Sequence, residues 1–208
     1  MTAVSLFVQD HAAHLVTDAA YYDADGQMVA TRSKVAINAA ARMAIGCSGC
    51  VQDHQIATAL GLCDGQADVL SRLPDVVRAI RADNTAQSAN LPTIELMLFV
   101  ALWSTERDRA EGYVIASDRA YLGDGYTPGT LVDVLQLTSP PMPTIDLASF
   151  DADRDAAGLL EAQRRYAWPN DPNCYVGGYG ELTTVTWGGV ERRRVVEWAD
   201  VIGEPIAV

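Results

Sequence analysis

The apolar positions fall into short runs over the first fifty residues and into helical spacing after them. Residues 3–8 are rich in β-formers and alternate weakly, which predicts a strand. Gln9-Asp10-His11 punctuates it, and residues 13–17 predict a second strand ending at Asp18. Asp23-Ala24-Asp25-Gly26 has the composition of a hairpin turn. Short strands are expected over residues 28–31 and 35–38, with Lys34 between them, and another over 43–47, running into Ser48-Gly49. From Gln52-Asp53 the spacing changes. Ile56, Ala57, Leu60 and Leu62 predict a helix that Asp64-Gly65 breaks. A second helix is expected over residues 66–81, with Val69, Leu73, Val77 and Ile80 on its apolar face and Pro74 as a perturbation.

Strand patterns return over residues 95–103, 112–117 and 120–122, and Gly123-Asp124-Gly125 is a turn. Residues 130–137 read as a short helix, and the proline-bearing stretch 139–149 reads as a loop. Residues 152–166 predict a helix with Ala156, Leu159, Leu160 and Ala162 apolar. A loop is expected over 168–173, and a closing hairpin over 181–187 and 190–198 about Gly188-Gly189. Strands, two helices, strands, two helices, strands is the order of an α+β fold, with helices packed on antiparallel sheets rather than alternating with parallel strands. No internal repeat interrupts it, and 208 residues suit a single domain over residues 1–208.

Composition narrows the partners. The formal charge of −12 repels phosphate backbones, so nucleic acid is not an expected partner. No apolar run approaches the roughly 18 residues of a membrane helix, so no membrane partner is expected. The first residues lack the basic flank and apolar stretch of a secretory signal, which leaves a cytoplasmic location as the expectation. No glycine-rich phosphate loop is present, and no cofactor is expected. Cys47 and Cys50 form a C-x-x-C, open to three readings: a zinc half-site, a redox pair, or two small residues at a tight turn. A zinc site takes about four ligands, and no second such pair exists, so no metal is expected.

The basic residues carry the most information. Lys and Arg total 15, and only Lys34 is a lysine. Lysine and arginine are exchangeable on a solvated surface, but not where an amine must act as a compact charge or give up its proton. Lys34 is therefore a candidate for chemistry. Counted from Thr2, Asp18 lies sixteen residues on and Lys34 thirty-two.

Those offsets, and the text around them, resemble the proteasome β-type family of N-terminal-nucleophile (Ntn) hydrolases and its simpler bacterial relatives. Leu15-Val16-Thr17-Asp18 is similar to the family's strand end L-A-A-D, and Ser33-Lys34-Val35 to its x-K-I. Gly49-Cys50-Val51-Gln52-Asp53 is similar to its G-x-x-x-D turn. The match is most specific over about the first sixty residues. The resemblance implies a four-layer αββα sandwich of two antiparallel sheets flanked by helices. It implies Thr2 as nucleophile, Asp18 and Lys34 as its partners, and the Gly49 amide in the oxyanion hole. Asp171 and Cys174 would stand for the family's supporting D-x-x-S, with Cys174 replacing serine, and Asp124 would replace the serine of its G-S-G. Tyr21, Arg32 and Ile45 would line the first specificity pocket. A homo-oligomeric ring or stack is implied, with an ATPase or a larger particle as further partner.

The chemistry needs a free α-amine on Thr2. A single methionine precedes Thr2, so removal of Met1 by an aminopeptidase is expected rather than cleavage of a propeptide. Two functions follow: a threonine-type peptidase or amidohydrolase, or a non-catalytic structural or assembly subunit on the same fold, of a phage or prophage particle for example, with Met1 in place.

Overall fold

The structure is a computed structural model that describes residues 2–23, 25–51, 53–61, 63–87, 93–166 and 174–207. Strands β1 (Val4–Gln9), β2 (Ala12–Asp18), β3 (Ala20–Tyr22), β4 (Met28–Thr31), β5 (Val35–Asn38) and β6 (Met43–Gly49) come first. Helices α1 (Asp53–Gly61) and α2 (Gln66–Ala86) follow. Strands β7 (Leu96–Ser104), β8 (Arg109–Ala116), β9 (Val132–Asp133) and β10 (Gln136–Ser139) precede helix α3 (Ala152–Arg164) and the hairpin β11 (Tyr179–Thr186) and β12 (Gly189–Glu197).

The strands form three antiparallel sheets. One runs β10-β1-β2-β11-β12, one is the β3-β4 hairpin, and one runs β5-β6-β7-β8-β9. The chain is thus α+β, as its pattern predicts. The weak alternation of β1 and β2 has a physical cause: both strands are buried on both faces. One face, with Val4, Leu6, Ala13 and Leu15, packs with Met97, Phe99 and Ala101 of β7. The other face, with Phe7, Val16 and Leu182, packs with Ala156, Leu159 and Leu160 of α3. On the second five-stranded sheet, Ile45, Leu98 and Val100 pack with Val69, Leu73 and Val77 of α2. This arrangement is consistent with a sandwich.

Three expectations are corrected. Residues 130–137, expected as a helix, supply β9 and part of β10. Val132 and Val134 stand two residues apart on the apolar cluster between the sheets, and β10 pairs along β1, so edge pairing and burial override local helical spacing. Residues 120–122, expected as a strand, lie mainly in a 3-10 turn, Arg119–Tyr121, with Asp118 accepting from the Ala120 N–H. Helix α2 continues through Pro74 to Ala86, because Val69, Leu73, Val77 and Ile80 keep one buried face on both sides of the proline. The second half therefore holds one α-helix among the described residues, not two. Among the described residues no helix is long and apolar enough to cross a membrane.

Candidate active site

The sixteen-residue offsets are hairpin geometry. Val4 pairs with Thr17 in the β1–β2 ladder, and the Asp18 N–H donates to the Ala3 carbonyl at 3.2 Å. The start of β1 and the end of β2 are thereby side by side, and Thr2 reaches Asp18. The next hairpin repeats the device. Ala20 pairs with Thr31, and the Arg32 N–H donates to the Ala19 carbonyl at 3.0 Å, which returns the chain so that Lys34 faces Asp18. Lys34 immediately precedes β5 of the second sheet, and its carbonyl accepts from the Cys47 N–H at 3.1 Å. The three side chains meet across two different sheets.

The Thr2 hydroxyl donates to Asp18 Oδ1 at 2.7 Å and accepts from the Lys34 ammonium. Lys34 also donates to Asp18 Oδ1 at 2.8 Å. Thr2, Asp18 and Lys34 are 5%, 0% and 4% exposed, so the ion pair and the hydroxyl stand in a desolvated site. A buried carboxylate must have its lone pairs satisfied, and this one does. Oδ1 further accepts from the Ala3 N–H at 2.9 Å, and Oδ2 accepts from the Ala20 and Gly177 N–H groups, each at 3.1 Å. Burial pushes the Lys34 amine below the usual lysine range, and the Asp18 carboxylate beside it pulls the other way.

Gly49 ends β6, two residues past Cys47. Its φ is +85°, and a Cβ there would lie 2.3 Å from the Glu95 carbonyl oxygen. Only glycine fits this turn, whichever group its amide serves. The turn is pinned to β7 by the Cys50 N–H donating to the same Glu95 carbonyl at 2.9 Å.

Of the three expected pocket residues, the structure brings two together. The Arg32 guanidinium stacks 4.4 Å from the Tyr21 ring centroid, and Lys34 Nζ lies 5.5 Å from that centroid. Ile45 is fully buried and belongs to the core cluster that includes residues of α1 and α2. Asp171 lies outside the described residues. Cys174 bridges to Ile206, and its thiol donates to the Arg164 and Val176 carbonyls. Burial pushes that thiol's pKa up. Asp124 is exposed in the turn after the 3-10 segment. Cys47 is buried with its thiol on the Lys34 carbonyl at 3.2 Å, and none of the four cysteines forms a disulfide among the described residues. No cluster of three or more His, Cys, Asp or Glu that could hold a metal ion occurs among the described residues.

Sequence reasoning missed the groups behind Asp18. The Gly177 amide reaches it from 159 residues away, and the Gly177-Gly178 pair before β11 is the one trace of this in the sequence.

Neither a protein-family model nor a curated protein matches the chain. Among solved structures, that of Anbu (ancestral beta-subunit) from Yersinia bercovieri is similar, with a TM-score of 0.60 over 95% of this chain and 88% of that one. The likeness supports a proteasome-like fold. At 9% identity it speaks for the fold alone.

Proposed function

We propose that the chain is a proteasome-like N-terminal threonine hydrolase that cleaves peptide or amide bonds. The observation that carries this reading is the Thr2 hydroxyl held between the Lys34 ammonium and the Asp18 carboxylate in a buried site. After Met1 is removed, the Thr2 α-amine, with a reference pKa of about 8, is basic enough to take the hydroxyl proton directly or through a water. Thr2 Oγ1 attacks the carbonyl carbon, and the carbonyl electron pair moves onto oxygen. The Gly49 N–H stabilises that oxyanion. The protonated amine then gives its proton to the leaving nitrogen as the C–N bond breaks. Water, deprotonated by the same amine, releases the acyl group from Thr2.

Lys34 favours the alkoxide by its charge, and Asp18 holds Lys34 in place. By the family resemblance, Tyr21, Arg32 and Ile45 line the first specificity pocket. By the same resemblance, Asp171 and Cys174 support the nucleophile. The finer architecture is the four-layer αββα sandwich as a single domain, working in the cytoplasm as a homo-oligomeric ring or stack, with an ATPase or a larger particle as partner.

A second reading keeps the fold without the chemistry, as a structural or assembly subunit. The Cys174 thiol turned toward the Arg164 and Val176 carbonyls, and the exposed Asp124 in place of a serine, favour it. Covalent capture separates the two. Incubation with an epoxyketone or β-lactone, followed by peptide mapping, gives one adduct on Thr2 if the chain is a hydrolase. Absence of any adduct on material that has lost Met1 leaves only the structural subunit.

A further inference from the structure

Behind the loop that reaches Asp18 lies a second buried ion pair. Arg164, the last residue of α3, and Asp200, just past β12, have side chains 8% and 5% exposed. Their contact is bidentate. Arg164 Nη2 donates to Asp200 Oδ1 at 2.6 Å, and Nη1 donates to Oδ2 at 2.8 Å. The remaining bonds of both groups go to backbone. Arg164 donates to the carbonyls of Val176 at 2.7 Å and Ala207 at 2.6 Å, and Asp200 Oδ2 accepts from the Gly178 N–H at 2.8 Å. The guanidinium lies 4.9 Å from the Trp198 ring centroid. The pair therefore grips residues 176 and 178, one on each side of Gly177. Gly177 in turn donates to Asp18 and accepts from the Ala19 N–H at 3.3 Å. No side chain fits at position 177, where a Cβ would stand 2.6 Å from Asp200 Oδ2 and 3.1 Å from Arg164 Nη1.

We propose that Arg164 and Asp200 are positioning residues for the triad. They form a buried fork that presents the Gly177 amide to Asp18 and so fixes the carboxylate between Thr2 and Lys34. A bidentate guanidinium–carboxylate contact has a single preferred orientation, which an ammonium or an amide cannot reproduce. Through the Ala207 carbonyl the same fork ties the end of the chain to the site. The inference rests on the hydrolase reading for its catalytic meaning and on the geometry alone for its structural content.

Lys34 reports on it directly. As the only lysine, it gives one side-chain signal in protein carrying isotopically labelled lysine. The groups facing its ammonium are Asp18 and Thr2 of the first sheet, Tyr21 of the β3–β4 hairpin and Cys47 of β6. Asp18 is the anion that holds it charged. In Asp200→Asn the fork is broken, Asp18 is released from one side, and the titration midpoint of Lys34 shifts downward. Should that variant fail to fold with Arg164 left unpaired, the double variant Arg164→Met with Asp200→Leu removes both charges at once, and the same downward shift is expected. A midpoint equal to wild type in either folded variant overturns the proposal. Because the signal comes from Lys34 itself, it is read whether or not Thr2 reacts. Failure of the wild type to form an adduct counts against the hydrolase reading alone.

Discussion

Lys34 and Asp18 meet as a buried ion pair at 2.8 Å, although they enter the site from different sheets. Asp18 ends a strand of the first five-stranded sheet, and Lys34 precedes the first strand of the second. The Thr2 hydroxyl bonds both charges, donating to Asp18 and accepting from Lys34. A charge in such a place is costly without its partner, and the asymmetry of that cost sets the first prediction.

Asp18→Asn leaves the Lys34 ammonium buried without a counter-charge and costs about 3–5 kcal/mol of stability. Adding Lys34→Met to it removes the stranded charge and restores part of the loss. Urea unfolding of both variants measures this. Equal stability of Asp18→Asn and wild type would mean the pair does not form.

Lys34→Arg keeps a positive charge and replaces a compact ammonium by a larger planar fork. The variant is expected to fold and assemble, while the rate of Thr2 adduct formation falls about a hundredfold or more. The measurement is the labelling rate beside a thermal unfolding midpoint. Wild-type labelling in the folded variant removes Lys34 from the chemistry.

The two offsets from Thr2 were legible because they are properties of hairpins. A strand and its antiparallel neighbour fix which residues face each other, so the offsets alone bring Asp18 and Lys34 to Thr2. The hairpin β11–β12 and the helix α3 were legible from their glycine pair and apolar spacing. What stayed hidden is what the backbone does at long range. The Gly177 amide meets Asp18, and the Arg164–Asp200 fork meets Val176 and Gly178, only after the chain has folded, and no local pattern marks a backbone donor. Val132 and Asp133 became strand because β8 offered an edge, and that is not written in residues 130–137 themselves.

His14 supplies a pH signature apart from the triad. Its ring packs at the edge of Phe150, with Nδ1 within 3.1 Å of the Thr184 hydroxyl. Burial, helped by His11 and opposed by Asp153 and Asp151, lowers its pKa from 6.5 to about 4. Between those values the unfolded chain binds the proton and the folded chain does not. Stability is therefore lost as pH falls from 6.5 toward 4 and levels off below, by about 3 kcal/mol from this residue. His14→Gln flattens that part of the profile, read as the difference between the two proteins' unfolding free energies across the window. Parallel profiles contradict the assignment.

The proposed hydrolysis runs through the Thr2 α-amine, which exists only once Met1 is gone. Intact mass spectrometry of the chain purified from its native cells tests this most directly. A hydrolase gives a mass lower than that of the 208-residue sequence by one methionine. A mass that retains Met1 throughout the native material contradicts it, and leaves the buried trio as the structural relic of a fold used for assembly.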